Sequence, residues 1–262
     1  MASRRPAHLK TSNRILAALP RAEFAALLSG ADRANLDART LLFAVGKPVR
    51  SVYFPESGVA SLLAASIDGV GVEVATVGRE GMIGLPVFLG STTSATQAVM
   101  QIPGEVWVID VPSFRRHLRS SEALRNMLNL YTQALFTLVA QSSLCNRLHS
   151  IRERCNRWLL TTHDRVDSDS FPLTHEFLAR MLGVRRASVS EVAARLQSER
   201  LITYRRGTVR IVNRRAMERA SCECYRIVRG EFDRLLEGKP QDPFIRTIQR
   251  RARDGKILGP PR

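Results

Sequence analysis

The chain has 262 residues, room for two ordinary domains. Its 44% hydrophobic content is globular, and no apolar run approaches the roughly 20 residues of a membrane helix. The net charge of +16 is uneven, because residues 150–262 hold 25 Lys and Arg against 14 Asp and Glu, whereas residues 1–149 hold 15 against 10. A basic half attracts polyanions, nucleic acid above all, because neutralised phosphates release condensed counterions. A solvated basic surface has the same composition, so charge alone does not choose between the two.

The N-terminus, MASRRPAHLKTSNR, is basic without a signal-type apolar core, so a cytoplasmic location is expected. Ile15, Leu16, Leu19, Phe24, Leu27 and Leu28 form an apolar stripe on a helix pair broken near Pro20. From about Thr40 to Val111 the runs LLFAV, VYF, VASLLA, VGVEVATV, AVMQI and VWVIDV alternate with Gly, Pro, Ser and Asp. Such runs read as strands of a compact all-β sandwich or roll. Val70, Val72, Val74 and Thr76 share one strand face.

Ser121 to His149 contains neither Pro nor Gly. Leu124, Leu128, Tyr131, Leu135, Leu138, Ser142 and Cys145 recur at steps of four and three, a heptad seam. The preferred reading is a dimer interface, with Met127, Phe136 and Val139 covering the β-domain. The alternative is a helix whose seam packs on its own β-domain. IRERCNRWLLTTH predicts a further helix carrying Ile151, Cys155, Trp158 and Leu159 on one side, and DRVDSDSFP a polar loop. Cys145, Cys155, Cys222 and Cys224 are too few and too scattered for a disulfide framework. Cys222-x-Cys224 is not a zinc-knuckle spacing, and residues two apart on a helix diverge. Packing is their expected role, with a redox or metal role as the alternative, and no metal site or cofactor is expected.

The segment LTHEFLARMLGVRRASVSEVAARLQSERLI carries the function. Phe177, Leu178, Met181 and Leu182 form one helix face, Gly183 permits a tight turn, and Val189, Val192, Ala193 and Leu196 form the buried side of a second helix. This is a helix-turn-helix pattern. The opposite side offers Arg186, Ala187, Ser188, Ser190, Glu191 and Arg195, with Arg185 at the turn. Arginine grips guanine with two hydrogen bonds, Glu accepts from cytosine, and Ser bonds either way. Ser188-x-x-Glu191 resembles a capping box, but Gly183-Val184 places the helix start near Arg185. LITYRRGTVRIVN then forms a basic hairpin, with Arg205, Arg206 and Arg210 placed to follow a phosphate backbone. His163-Asp164 and His175-Glu176 read as surface or capping pairs, and His117 as a surface residue. No nucleophile elbow, HExxH pair, Walker loop or helix-opening GxGxxG is present, so an enzyme is not expected.

At these residues the chain resembles the Crp–Fnr family of bacterial transcription regulators. VYFPESG, VGREGMIGLPVFLG, CNRLHSIRERCNRWLL, THDRV and CECY are similar to one subgroup of it. The resemblance spans about residues 12–230 and implies an α+β chain. The parts are a β-roll sensor (12–118), a dimerisation helix (119–149), a winged helix-turn-helix (150–216), a C-terminal helix (217–237) and a basic, disordered tail (238–262). That tail adds nonspecific DNA affinity or nothing. The resemblance also implies a homodimer on a palindromic site in double-stranded DNA beside a promoter, RNA polymerase as protein partner, and a small-molecule effector of unknown identity. Ala187 and Glu191 depart from the family's recognition helix, which points to a different target sequence. Leu85 and Pro86 stand where cyclic-nucleotide-binding members carry glutamate, Ala95-Thr96-Gln97-Ala98 replaces their Arg-Ser region, and no arginine lies between Arg79 and Arg115. A cyclic phosphate needs a cation and oriented N–H donors, so cAMP binding is not expected, and a cyclic-nucleotide-responsive regulator with an altered pocket is the alternative. The family's iron–sulfur branch uses N-terminal cysteines, whereas the first cysteine here is Cys145.

Overall fold

The computed structural model describes residues 10–69 and 71–254, in two compact units. The first contains the chain through Thr132 together with Arg165–Asp167; the second contains Gln133–Asp164 and the chain from Ser168 onward. Val70, expected on a strand face, and residues 1–9 and 255–262 of the basic ends lie outside the described residues.

The first unit opens with α1 (Arg14–Ala17) and α2 (Arg21–Leu28). The Asn13 side chain caps α1 by accepting from the amides of Ile15 and Leu16, and Pro20 precedes α2. All six apolar residues expected on this pair are buried. The strands are β1 (Asp32–Leu36), β2 (Leu41–Phe43), β3 (Ser51–Pro55), β4 (Val59–Ala65) and β5 (Gly71–Val77). After the short α3 (Leu85–Phe88) come β6 (Gln97–Ile102) and β7 (Gly104–Asp110). They pair antiparallel in two sheets, ordered β1-β7-β3 and β2-β6-β4-β5. The predicted runs thus become β2 to β7. β1 is additional: its DRANL sequence alternates only two apolar residues, Ala34 and Leu36, both half-buried, and it is held by backbone pairing to β7, from Asp32↔Val108 to Leu36↔Gly104. Val52 and Phe54 of β3, Ala60 of β4, Met100 of β6, and Val106 and Ile109 of β7 supply the buried side chains. The Glu56 carboxylate, which is also buried, accepts from Trp107 Nε1 at 2.7 Å and from the Ser12 amide at 2.6 Å.

Helix α4 (Val111–Ser120) leads into the 27-residue α5 (Glu122–Leu148). Here the expected division of faces is corrected. Leu124, Leu128, Tyr131, Leu135, Leu138 and Cys145 are at most 8% exposed in the single chain, and Ser142 is half-buried. The chain's own residues cover the stripe assigned to a second copy. Phe136 and Val139, assigned to the β-domain, are instead 73% and 36% exposed. Both faces have helical spacing, so only the surroundings decide which is covered. Tyr131 shows how: its hydroxyl donates to the Met82 carbonyl at 3.1 Å, and a Cβ on Gly81 would lie 2.5 Å from its ring. The long helix is divided between the two units, its first turns, through Thr132, belonging to the first.

Arg165 completes that unit's interior. It pairs with Glu80 at 2.7 Å, the two side chains being 6% and 8% exposed, and donates to the Thr76 hydroxyl. Gly78 leaves room for it, as a Cβ there would sit 2.7 Å from the Arg165 side chain. Burial acts most strongly on the Glu80 carboxyl and opposes its charge. The Arg165 charge and hydrogen bonds outweigh that and hold it below the ordinary carboxylate range.

The second unit continues α5 into α6 (Ile151–His163), which Ser150 and Glu153 start with a reciprocal capping box. It then forms β8 (Ser170–Pro172), α7 (His175–Leu182), α8 (Arg186–Ser198), β9 (Ile202–Arg205), β10 (Thr208–Ile211), α9 (Arg214–Ala220), α10 (Glu223–Glu237) and α11 (Pro243–Arg253). Three expectations change here. The polar loop ends in β8, which adds to β10 as a third strand. The single C-terminal helix is two, because the backbone of Ser221 and Cys222 is extended. The tail expected to be disordered contains α11, capped by Asp242 with Pro243 in its first turn, and the Arg226 guanidinium lies 5.1 Å from the Phe244 ring centre. Tyr225 donates to Asp164 at 2.9 Å, and Arg214 also pairs with Asp164.

Candidate nucleic-acid interface

The interface is built on α7 and α8 of the second unit. Thr174 caps α7 by accepting from the Phe177 amide at 3.1 Å. Gly183 ends it in the left-handed region, at φ 63°. The Gly183 and Val184 amides bond back to the carbonyls of Arg180 and Ala179 at 3.2 and 3.0 Å, the reciprocal pair that satisfies a helix C-terminus. Arg185 is extended and α8 begins at Arg186. The helix therefore starts before the Ser188-x-x-Glu191 pattern, which forms no cap.

Val189, Ala193 and Leu196 are at most 4% exposed, so α8 is anchored along one side. Arg185, Arg186, Ala187, Glu191 and Arg195 are exposed on the other. Ser188 and Ser190 are only half-buried. Ser190 is already engaged: its hydroxyl donates to the Arg186 carbonyl at 3.1 Å and meets His175 Nδ1 at 2.9 Å. With its own hydrogen spent on the helix, Ser190 accepts from the imidazole and holds α7 to α8.

The hairpin of β9 and β10 turns at Arg206-Gly207, both with positive φ (47° and 76°), the two-residue turn that matches strand twist. Ile202, Val209 and Ile211 are buried, while Arg205, Arg206 and Arg210 are exposed. His175 joins this wing to the helix pair. Its ring centre lies 4.4 Å from that of Tyr204 on β9, and the Tyr204 hydroxyl donates to the Leu173 carbonyl. Burial, and then the Arg186 guanidinium, hold the His175 imidazole below its ordinary value. Gln197 adds a second tie, accepting from the Tyr204 amide at 3.0 Å. Periodicity does not reveal His175 as this joint, because Ser190 is fifteen residues away. Its place next to the Thr174 cap is the only local sign of a role.

In the first unit, Leu85 is buried and Pro86 half-buried on and within the four-residue α3. Gln97 and Ala98 lie inside β6. The Nδ1 of His117 bonds the Ser113 carbonyl of its own helix at 2.9 Å. No described helix is long and apolar enough to cross a membrane.

A model of the Crp-like helix-turn-helix domain matches residues 153–220, and a model of the cyclic nucleotide-binding domain matches residues 33–121. A search of curated proteins returns no match. Among solved structures, a putative transcriptional regulator of the Crp/Fnr family from Eubacterium rectale is 17% identical at a TM-score of 0.60, covering 77% of this chain and 94% of its own. FixK2 from Bradyrhizobium japonicum is 15% identical at 0.63, covering 73% and 98%. The c-di-GMP-responsive regulator CLP of Xanthomonas campestris is 19% identical at 0.57, covering 73% and 99%. At these identities the structures speak for the fold alone. The two domain models, in this order and on these two units, carry the assignment: the chain belongs to the Crp–Fnr family of transcriptional regulators.

Proposed function

We propose that the protein is a sequence-specific, non-enzymatic regulator that binds a palindromic promoter site in double-stranded DNA as a homodimer, with its β-roll as sensor of an effector of unknown identity. The observation that carries this reading is the division of α8. Its apolar side is consumed by packing, while Arg185, Arg186, Ala187, Glu191 and Arg195 stand free beside the exposed wing arginines. In this reading the first turns of α8 enter the major groove and Arg205, Arg206 and Arg210 follow the phosphates. A second copy would lie on the outer face of α5, where Phe136, Ala140, Leu144 and Leu148 follow at four-residue steps and all are exposed. Such an apolar stripe on a single helix marks an interaction surface. DNA bound beside a promoter brings RNA polymerase within reach, and the protein would act where DNA is, in the cytoplasm.

A selection of bound sequences from a random pool should return an inverted repeat. Arg186→Ala should then weaken binding to it by about 1–3 kcal/mol and relax one base position per half-site. Unchanged discrimination among operators would remove α8 from the reading role. The match to the cyclic nucleotide-binding domain favours a second reading, a cyclic-nucleotide-responsive regulator with an altered pocket. Calorimetry with cAMP and cGMP separates the two, and no heat of binding is expected, given Leu85, Pro86 and Ala95–Ala98 where the family's phosphate contacts would be.

A further inference from the structure

Three cysteines and a histidine of the second unit converge, although Cys222-x-Cys224 is not a zinc-knuckle spacing. Cys145 and His149 stand four apart at the end of α5. The His149 amide still donates to the Cys145 carbonyl at 3.1 Å, so the helical spacing holds and both side chains share a face. Cys222 is the extended N-cap of α10, and Cys224 lies in its first turn. The change from extended to helical backbone between them brings both thiols to one side, where two residues within a helix would diverge. The ligand atoms of all four residues lie within 4.8 Å of one another. Cys145 Sγ is 3.6 Å from Cys222 Sγ, and Cys224 Sγ is 3.6 Å from His149 Nδ1.

We propose that Cys145, His149, Cys222 and Cys224 form a closed Cys3His site for a single divalent cation of the Zn2+ class. Tetrahedral bonds of about 2.3 Å to sulfur and 2.0–2.1 Å to nitrogen put the ligand atoms about 3.5–3.8 Å apart, and the Cys145–Cys222 and Cys224–His149 pairs are each separated by 3.6 Å. All four ligand atoms lie within 4.8 Å of one another, so no separation exceeds such an edge by more than about 1 Å. A polynuclear cluster would spread its outer ligands further, because bridging atoms lie between its metals. Three thiolates and an imidazole are soft to borderline donors, which select Zn2+ over Mg2+ or Ca2+.

The surroundings fit the same assignment. His149 Nε2 lies 3.3 Å from the Glu223 carboxylate. A proton held there leaves the Nδ1 lone pair facing the thiols, the carboxylate–histidine–metal arrangement. Three thiol protons leave as the cation enters, so the loaded site carries one net negative charge, and Arg157 acts on Cys145 and Cys222 through its positive charge. The three cysteines are at most 4% exposed. Four protein ligands and burial describe a structural site, which would clip the end of α5 to the start of α10 across a 77-residue separation. Cys155, the remaining cysteine, is buried alone and takes no part.

The test is metal analysis of the full-length protein, purified in reductant without a chelating tag, by inductively coupled plasma and native mass spectrometry. About one zinc per chain is expected. Exchange for Co2+ should produce the intense visible and thiolate charge-transfer bands of a tetrahedral S3N site, a readout that needs no variant. Cys224→Ser should lose the metal, Cys155→Ser should keep it, and Cys224→His should keep it with a shifted cobalt spectrum. Glu223→Gln should weaken affinity by roughly 10–100-fold. The assignment is overturned if the wild-type chain is metal-free and gives no thiolate–cobalt bands, if Cys145 and Cys222 are recovered as a disulfide in reductant, or if Cys224→Ser keeps its full metal content. DNA binding is measured separately, so failure here leaves the reading of α8 standing.

Discussion

The Arg165–Glu80 pair makes a quantitative test of how the first unit is held together. Replacing Glu80 by Ala leaves the Arg165 guanidinium, 6% exposed, with the Thr76 hydroxyl but no countercharge. Removing one partner of a buried ion pair costs about 3–5 kcal/mol, mostly for the charge left behind. For a domain of this size that is a fall in Tm of roughly 10–15 °C. The molecule supplies its own reporter. Of its two tryptophans, Trp107 lies in the first unit and Trp158 in the second, so Trp158→Phe makes fluorescence report the first unit alone. In that background Glu80→Ala and Arg165→Ala should each be severe, whereas the double change Glu80→Met with Arg165→Met should recover most of the loss. Acid gives a second arm. The folded-state pKa of Glu80 lies below its unfolded value. Its contribution is therefore complete above about pH 4.5, falls as the pH drops below that value, and is gone below the folded pKa. Glu80→Gln should flatten this part of the acid profile. Single changes costing under about 1 kcal/mol, or a double change as costly as the sum of the singles, would refute the coupling.

Further expectations concern the wing, the long helix and the packing of Tyr131. Arg206→Asn removes a charge while keeping a residue that tolerates the positive φ of 47°. It should weaken binding to all duplexes alike and reduce the salt slope by about one; a sequence-dependent loss would argue for base contact instead. Phe136→Glu places a charge on a side chain that is 73% exposed. The fold should tolerate it while sedimentation shifts toward monomer, and unaltered sedimentation would exclude this face as the dimer contact. Gly81→Ala puts a methyl group 2.5 Å from the Tyr131 ring. It should destabilise the first unit by about 1–3 kcal/mol through overpacking, which urea unfolding followed at Trp107 measures.

Local rules account for what the sequence by itself determined. The turn at Gly183, the start of α8 near Arg185, the hairpin at Arg206-Gly207 and the apolar side of α8 each depend on residues within one or two turns of one another, where capping, positive φ and helical period act. The arginine-bearing side of α8 could be named because whatever the apolar side buries, the opposite side is left outside. The same logic fails on α5, where two apolar faces have helical spacing and only the surroundings reveal that Leu124, Leu128 and Tyr131 are covered while Phe136 is not. β1 carries only a short signature, the alternation of Ala34 and Leu36, and its pairing is supplied by β7.

Only the tertiary structure decided the long-range partnerships. Arg165 meets Thr76 across 89 residues, Cys145 meets Cys222 across 77, and His175 meets Ser190 across fifteen. Each is a polar or thiol side chain whose partner is fixed by where two separate elements pack, and periodicity carries no record of that.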